Sequence, residues 1–161
     1  MNKFSIAAPG AKEAQVVMAK LVSFADSPRD RFIVMAVFQN GISSLDLSAL
    51  KIGDYPLEPW MGFETKSGHV GKYRYGVSTP ETCAYLATYL EERKGQNGEP
   101  LLIGKKGPLN VKEINKVLKG VIHRAGLDKI RGFTAKCLLK GFEATLNYAE
   151  NYSQVMAILL K

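Results

Sequence analysis

Ser27-Pro28-Arg29-Asp30-Arg31-Phe32-Ile33-Val34-Met35-Ala36-Val37-Phe38-Gln39-Asn40-Gly41 is the stretch on which the fold turns. Ser27 offers a capping hydroxyl, Pro28 has the fixed φ suited to a first helical position, and Asp30 sets a carboxylate against the positive end of the helix dipole. From Phe32 to Phe38 every residue is apolar. A helix apolar all round is one buried on most sides, so this segment predicts the centre of a helical core. Asn40-Gly41 closes it, because both residues tolerate the left-handed conformation that a helix C-terminus favours.

Working outward, Val17, Leu21 and Phe24 lie four and three residues apart within 11–24, one stripe of a preceding helix that stops at Asp26-Ser27-Pro28. On the other side, Ser43 or Ser44 caps a short helix carrying Leu45, Leu47 and Leu50. The pattern then changes. Trp60–Thr65 and Tyr73–Val77 flank the glycine-rich Lys66-Ser67-Gly68-His69-Val70-Gly71-Lys72 and predict a β-hairpin with a basic tip. Ser78-Thr79-Pro80-Glu81 opens another helix through Tyr85, Leu86, Tyr89 and Leu90. Leu101-Leu102-Ile103 is a short apolar strand or turn, and Val111, Ile114, Leu118 and Ile122 share a face of a helix beginning after Asn110. His123 falls in its last turn, where a surface imidazole is favoured over a metal or catalytic one. Two more helices are expected in 134–161, broken around 147–151. The predicted class is α+β, mainly helical, with a small antiparallel sheet.

The 161 residues are 46% hydrophobic and 23% charged, the composition of one ordinary globular domain. Apolar runs of this length fall far short of the roughly 20 residues needed to cross a bilayer, and the N-terminus does not read as a secretory signal, so no membrane role is expected and a cytoplasmic or nucleoid-associated location is. Cys83 and Cys137 are isolated, with only His69 and His123 to help them. That rules against a disulfide framework, and neither a metal nor a cofactor is expected. Net charge is +7, and it is uneven: residues 1–60 carry six basic and six acidic side chains, 61–120 ten against six, and 121–161 six against three. A one-sided basic field suits a polyanion such as nucleic acid, which gains from counterion release.

The order of these motifs resembles the catalytic domain of tyrosine recombinases, the phage integrase family. The resemblance rests on Pro28-Arg29-Asp30-Arg31-Phe32, on Leu45 to Asp54, on Thr65-Lys66-Ser67-Gly68 and on Ser78-Thr79-Pro80-Glu81-Thr82. It continues through Glu99-Pro100-Leu101-Leu102, Gly107-Pro108-Leu109, Ala125-Gly126-Leu127 and the block Phe133 to Ala144. It spans roughly 11–158 and implies a recombinase-like domain over 11–161, C-terminally truncated, after an N-terminal extension at 1–10.

Enzymes of that family break a DNA phosphodiester by tyrosine attack, with two arginines gripping the phosphate, a lysine protonating the leaving oxygen and histidines assisting. Guanidinium suits the task because its planar fork holds two phosphate oxygens. By the resemblance, the first arginine position is Ser43, its acidic neighbour is Asp46 and the hairpin lysine is Lys66. The histidine position is Lys136 and the second arginine position is Leu139, an apolar side chain. Lys140 is the next residue, but one step on a helix turns a side chain by about 100°. Tyr148 and Tyr152 lie too early for the nucleophile, and aromatic residues there are more often packing.

The resemblance with these departures implies a degenerate enzyme that binds double-stranded DNA, without strand transfer, as a repressor or accessory factor of a mobile element. Lys66, Lys72, Arg74, Lys136 and Lys140 are the expected DNA contacts, and in the family the hairpin approaches the minor groove. Two other readings stand beside it. One is a subunit whose site is completed in trans by a partner. The other is an interaction module that docks on an active recombinase, or on itself, through the C-terminal segment.

Overall fold

A computed structural model of the chain describes residues 18–40, 42–66, 73–129 and 157–158. Of the sequence expectations, the extension at 1–10, the hairpin tip with Lys72, and the segment holding Lys136, Cys137, Leu139, Lys140, Tyr148 and Tyr152 lie outside the described residues. The side chains of Lys66 and Arg74 do so as well.

Helix α1 runs Pro28–Asn40, and every residue from Phe32 to Phe38 is buried. Ser27 caps it as its position predicts, its hydroxyl accepting the Asp30 amide at 3.2 Å. At the far end the Ile42 amide reaches back to the Ala36 carbonyl at 3.2 Å, closing the last turn. The fully apolar segment therefore becomes the axis of the core, with the helices that follow packed around it.

Helix α2, Ser44–Ala49, is short. Strands β1, Gly62–Lys66, and β2, Tyr73–Val77, form the antiparallel hairpin, with Gly62 opposite Val77 and Lys66 opposite Tyr73. β1 starts two residues later than the apolar pattern suggests, because Trp60 has φ +65°, outside any strand conformation. Tyr55 joins the hairpin to α1: its ring meets Phe32 edge-on at 5.3 Å and Phe63 at 4.6 Å.

Helix α3, Pro80–Arg93, packs on α1 and buries Cys83, Leu86 and Tyr89. Thr79 sits at its N-cap without capping it. Strands β3, Ile103–Gly104, and β4, Gly107–Pro108, make a minimal hairpin. It is anchored by the Arg29 guanidinium on the Ile103 carbonyl at 3.0 Å and by the Ile103 amide on the Tyr89 hydroxyl at 3.2 Å.

Helix α4, Val111–Arg124, buries Ile114, Leu118, Val121 and Ile122 against α1 and α2. Its start is a full capping box, with Asn110 accepting from the Glu113 amide at 2.8 Å and Glu113 accepting from the Asn110 amide at 3.3 Å. Gly126, at φ +78°, ends it in a conformation glycine favours, and a side chain there would press on Ile158. A 3-10 turn, Leu127–Lys129, follows. The domain is thus mainly helical with a small antiparallel sheet. Among the described residues no helix is long and apolar enough to cross a membrane.

Candidate nucleic-acid interface

Ser43 and Asp46 lie together on the first turn of α2. Ser43 has extended backbone angles and its hydroxyl accepts the Asp46 amide at 3.1 Å, which makes it the N-cap. The adjoining Ser44, 3% exposed, donates to Asn115 Oδ1 at 2.5 Å and ties α2 to α4. Asp46 is 2% exposed, and neither carboxylate oxygen has a hydrogen-bond partner among the described residues. A short hydroxyl used for capping cannot fork two phosphate oxygens as a guanidinium does.

The end of α1 beside this turn is fixed by a polar cluster. Gln39 Oε1 accepts from Thr79 at 2.6 Å and from Thr82 at 3.0 Å, and the two hydroxyls are 2.9 Å apart. Engaging Gln39 is why Thr79 leaves its own helix uncapped. The Tyr55 hydroxyl donates to Asn40 Oδ1 at 2.7 Å. Burial, reinforced by neighbouring Cys83 and opposed by a hydrogen bond from Thr82, pushes the Tyr55 phenol well above its ordinary value. Burial likewise raises the Cys83 thiol, against a hydrogen bond from Ser78. These groups are neutral scaffolding, unsuited to nucleophilic work at neutral pH.

Of the five expected DNA contacts, Lys66 and Arg74 occupy neighbouring register positions of the hairpin, Arg74 opposite Thr65 and Lys66 opposite Tyr73. The structure adds a second basic surface that the sequence motifs do not single out. Lys105 and Lys106 are exposed in the turn between β3 and β4, and Lys112, Lys116 and Lys119 are exposed on α4 at spacings of four and three. From Lys105 to Arg124 the chain has six Lys and Arg and one acid, Glu113, which the capping box engages. The signal was present as a lysine repeat opposite the apolar stripe of the same helix. Arg124 itself bonds inward, to the Phe24 carbonyl at 2.9 Å. His123 is exposed and pairs with Asp128 at 2.7 Å, and that hydrogen bond holds the Asp128 carboxyl below its usual range. Among the described residues no group of His, Cys, Asp or Glu has the arrangement of a metal site.

No family model and no curated protein matches the chain in sequence. Among solved structures it is similar to the crystal structure of XerA recombinase, with a TM-score of 0.67 and 21% identity, covering 89% of this chain and 52% of that one. The chain therefore spans about half the length of that recombinase. The likeness supports a recombinase-like fold over the described helices and hairpin.

Proposed function

We propose that this is a DNA-binding, recombinase-like domain without strand-transfer activity, acting as a repressor or accessory factor of a mobile element. The observation that carries the loss of catalysis is Ser43, whose side chain caps α2 at the position where the resemblance calls for a phosphate-gripping arginine. Leu139 at the second such position adds to it from the sequence. The exposed lysines of α4 and the β3–β4 turn, together with Lys66, Lys72, Arg74, Lys136 and Lys140, support contact with the DNA backbone, which gives affinity and position but little sequence selection. Such a domain, extending over 11–161, would occupy or bend a site that an active recombinase uses, in the cytoplasm or on the nucleoid.

Asp46 favours one second reading. Its carboxylate has no partner among the described residues, and a guanidinium supplied in trans by another subunit would supply one if the turn, with Asp46 2% exposed, opened to admit it.

Nicked suicide duplexes test the first reading. The domain alone, and mixed with an active recombinase, is expected to shift the duplex without forming a denaturant-resistant adduct on this chain. An adduct lost in Tyr148→Phe or Tyr152→Phe would overturn the proposal.

A further inference from the structure

Between Lys51 and Lys66 the chain carries Asp54, Glu58 and Glu64 and no basic residue, an acidic island in a molecule of net charge +7. In its middle, residues 57–62 are all exposed. Leu57 is 54%, Trp60 70% and Met61 48% open to solvent. A continuous exposed Pro59-Trp60-Met61 is a pattern that a soluble surface avoids unless something covers it.

The loop is not loose. Trp60 has φ +65°, a conformation that bulky side chains rarely adopt. Ser78, fully buried, holds it there from both sides. The Ser78 carbonyl accepts the Trp60 amide at 2.8 Å, and the Ser78 amide donates to the Met61 carbonyl at 2.9 Å. Its hydroxyl accepts the Met61 amide at 3.0 Å and donates to the Glu58 carbonyl at 2.7 Å. Strain that the surroundings over-determine in this way belongs to sites with a use. Here it presents a preordered aromatic and a thioether, residue types concentrated at the centres of protein interfaces.

The charges decide what the occupant is. Glu58 and Glu64 repel phosphate, so nucleic acid is a poor fit, and a basic protein surface is a good one. Two copies of the patch face to face would set like charges together, which argues against a symmetric contact. The chain itself carries a complementary face, the exposed Lys112, Lys116 and Lys119 of α4. Their apolar stems can cover Leu57 and Met61 while an ammonium group sits on the indole face. We propose that the Leu57–Trp60–Met61 patch docks on the lysine face of α4 in a second copy of this chain, a head-to-tail contact. The same lysines are those proposed to meet DNA, so the two contacts compete, and self-association is measured with DNA absent.

Trp60 is the sole tryptophan, so tryptophan emission, excited selectively over the seven tyrosines, reports this patch alone. The full chain is followed by fluorescence and sedimentation equilibrium from micromolar to millimolar concentration. Salt is held at about 0.15 M, where a Debye length of about 8 Å screens long-range repulsion but leaves short contacts in place. The emission maximum is expected to move to the blue as the weight-average mass rises. Trp60→Asn, which suits the left-handed backbone, and Met61→Ser are expected to remain folded and monomeric. Lys116→Glu with Lys119→Glu is expected to weaken association at least about tenfold, and adding Glu58→Lys with Glu64→Lys to restore it. A monomeric parent at every concentration, patch variants that associate like the parent, or a charge exchange that fails to restore the contact would each overturn the proposal.

Discussion

The Ser43 hydroxyl accepts the Asp46 amide at 3.1 Å, while the Asp46 carboxylate on the same turn, 2% exposed, bonds to nothing among the described residues. The turn is therefore well capped and poorly neutralised. A buried carboxylate without a counter-charge or donors is a cost to the fold, and one that a suitably placed guanidinium would relieve.

Asp46→Leu is accordingly expected to stabilise the domain, by about 1–3 kcal/mol in urea unfolding. Ser43→Arg loses the cap, worth about 1 kcal/mol, but gains Asp46 as a partner. The two changes should be coupled: arginine at 43 is tolerated beside Asp46 and strongly destabilising beside Leu. A double-mutant cycle that closes additively to within about 0.5 kcal/mol would show that the carboxylate is not a latent cation receptor.

Tyr55 makes stability depend on alkaline pH. Its phenol is raised in the folded state, chiefly by burial and further by Cys83. Folded protein then holds this proton more tightly than unfolded protein does. The contribution is fully present below the unfolded value of about 10 and is lost as pH rises above it toward the folded value. Tyr55→Phe should lose about 1 kcal/mol at neutral pH with the Asn40 hydrogen bond, and should show a shallower decline above about pH 10. The buried Cys83 thiol, raised by the same cause, leaves a residual decline that starts nearer pH 8.5. Equal slopes in parent and variant would contradict this account of Tyr55.

Lys72→Glu with Arg74→Glu tests the hairpin. Arg74 belongs to a ribbon whose strands pair from Gly62–Val77 to Lys66–Tyr73, and Lys72 immediately precedes its second strand in sequence. Backbone contacts there predict weaker binding to all duplexes alike, with the salt slope reduced by about one unit per lost contact. Unchanged affinity at low salt would leave the hairpin a solvated tip.

The central helix was legible because its information is local: Ser27, Pro28 and a run of apolar residues are sufficient, and the structure buries every one from Phe32 to Phe38. The stripe on α4 was legible for the same reason, although Val121 joins Ile114, Leu118 and Ile122 in the core. Thr79 stands at the N-cap of α3, but that its hydroxyl goes to Gln39, forty positions away in the chain, is not a local signal. Trp60 was read into the strand because aromatic residues favour strands, whereas Ser78 holds it in a left-handed turn. At the candidate site, Ser43 could be found by its position after Asn40-Gly41, but the isolation of Asp46 depends on what packs around it. The lysines of α4 are plain in the sequence, but a charged face opposite an apolar one is the usual solvated surface of a helix and carries no functional signal by itself.

DNA binding by this domain is tested most directly by fluorescence anisotropy on a labelled duplex, titrated with salt, for the parent and for Lys112→Glu, Lys116→Glu and Lys119→Glu combined. These three lysines are exposed along one helix that is fixed by its capping box and its buried face. The account predicts that the logarithm of affinity falls linearly with the logarithm of salt concentration, and that the variant loses about one unit of slope for each phosphate contact removed. Parent and variant binding with the same affinity and slope, or a parent with no salt-dependent binding at all, would contradict it.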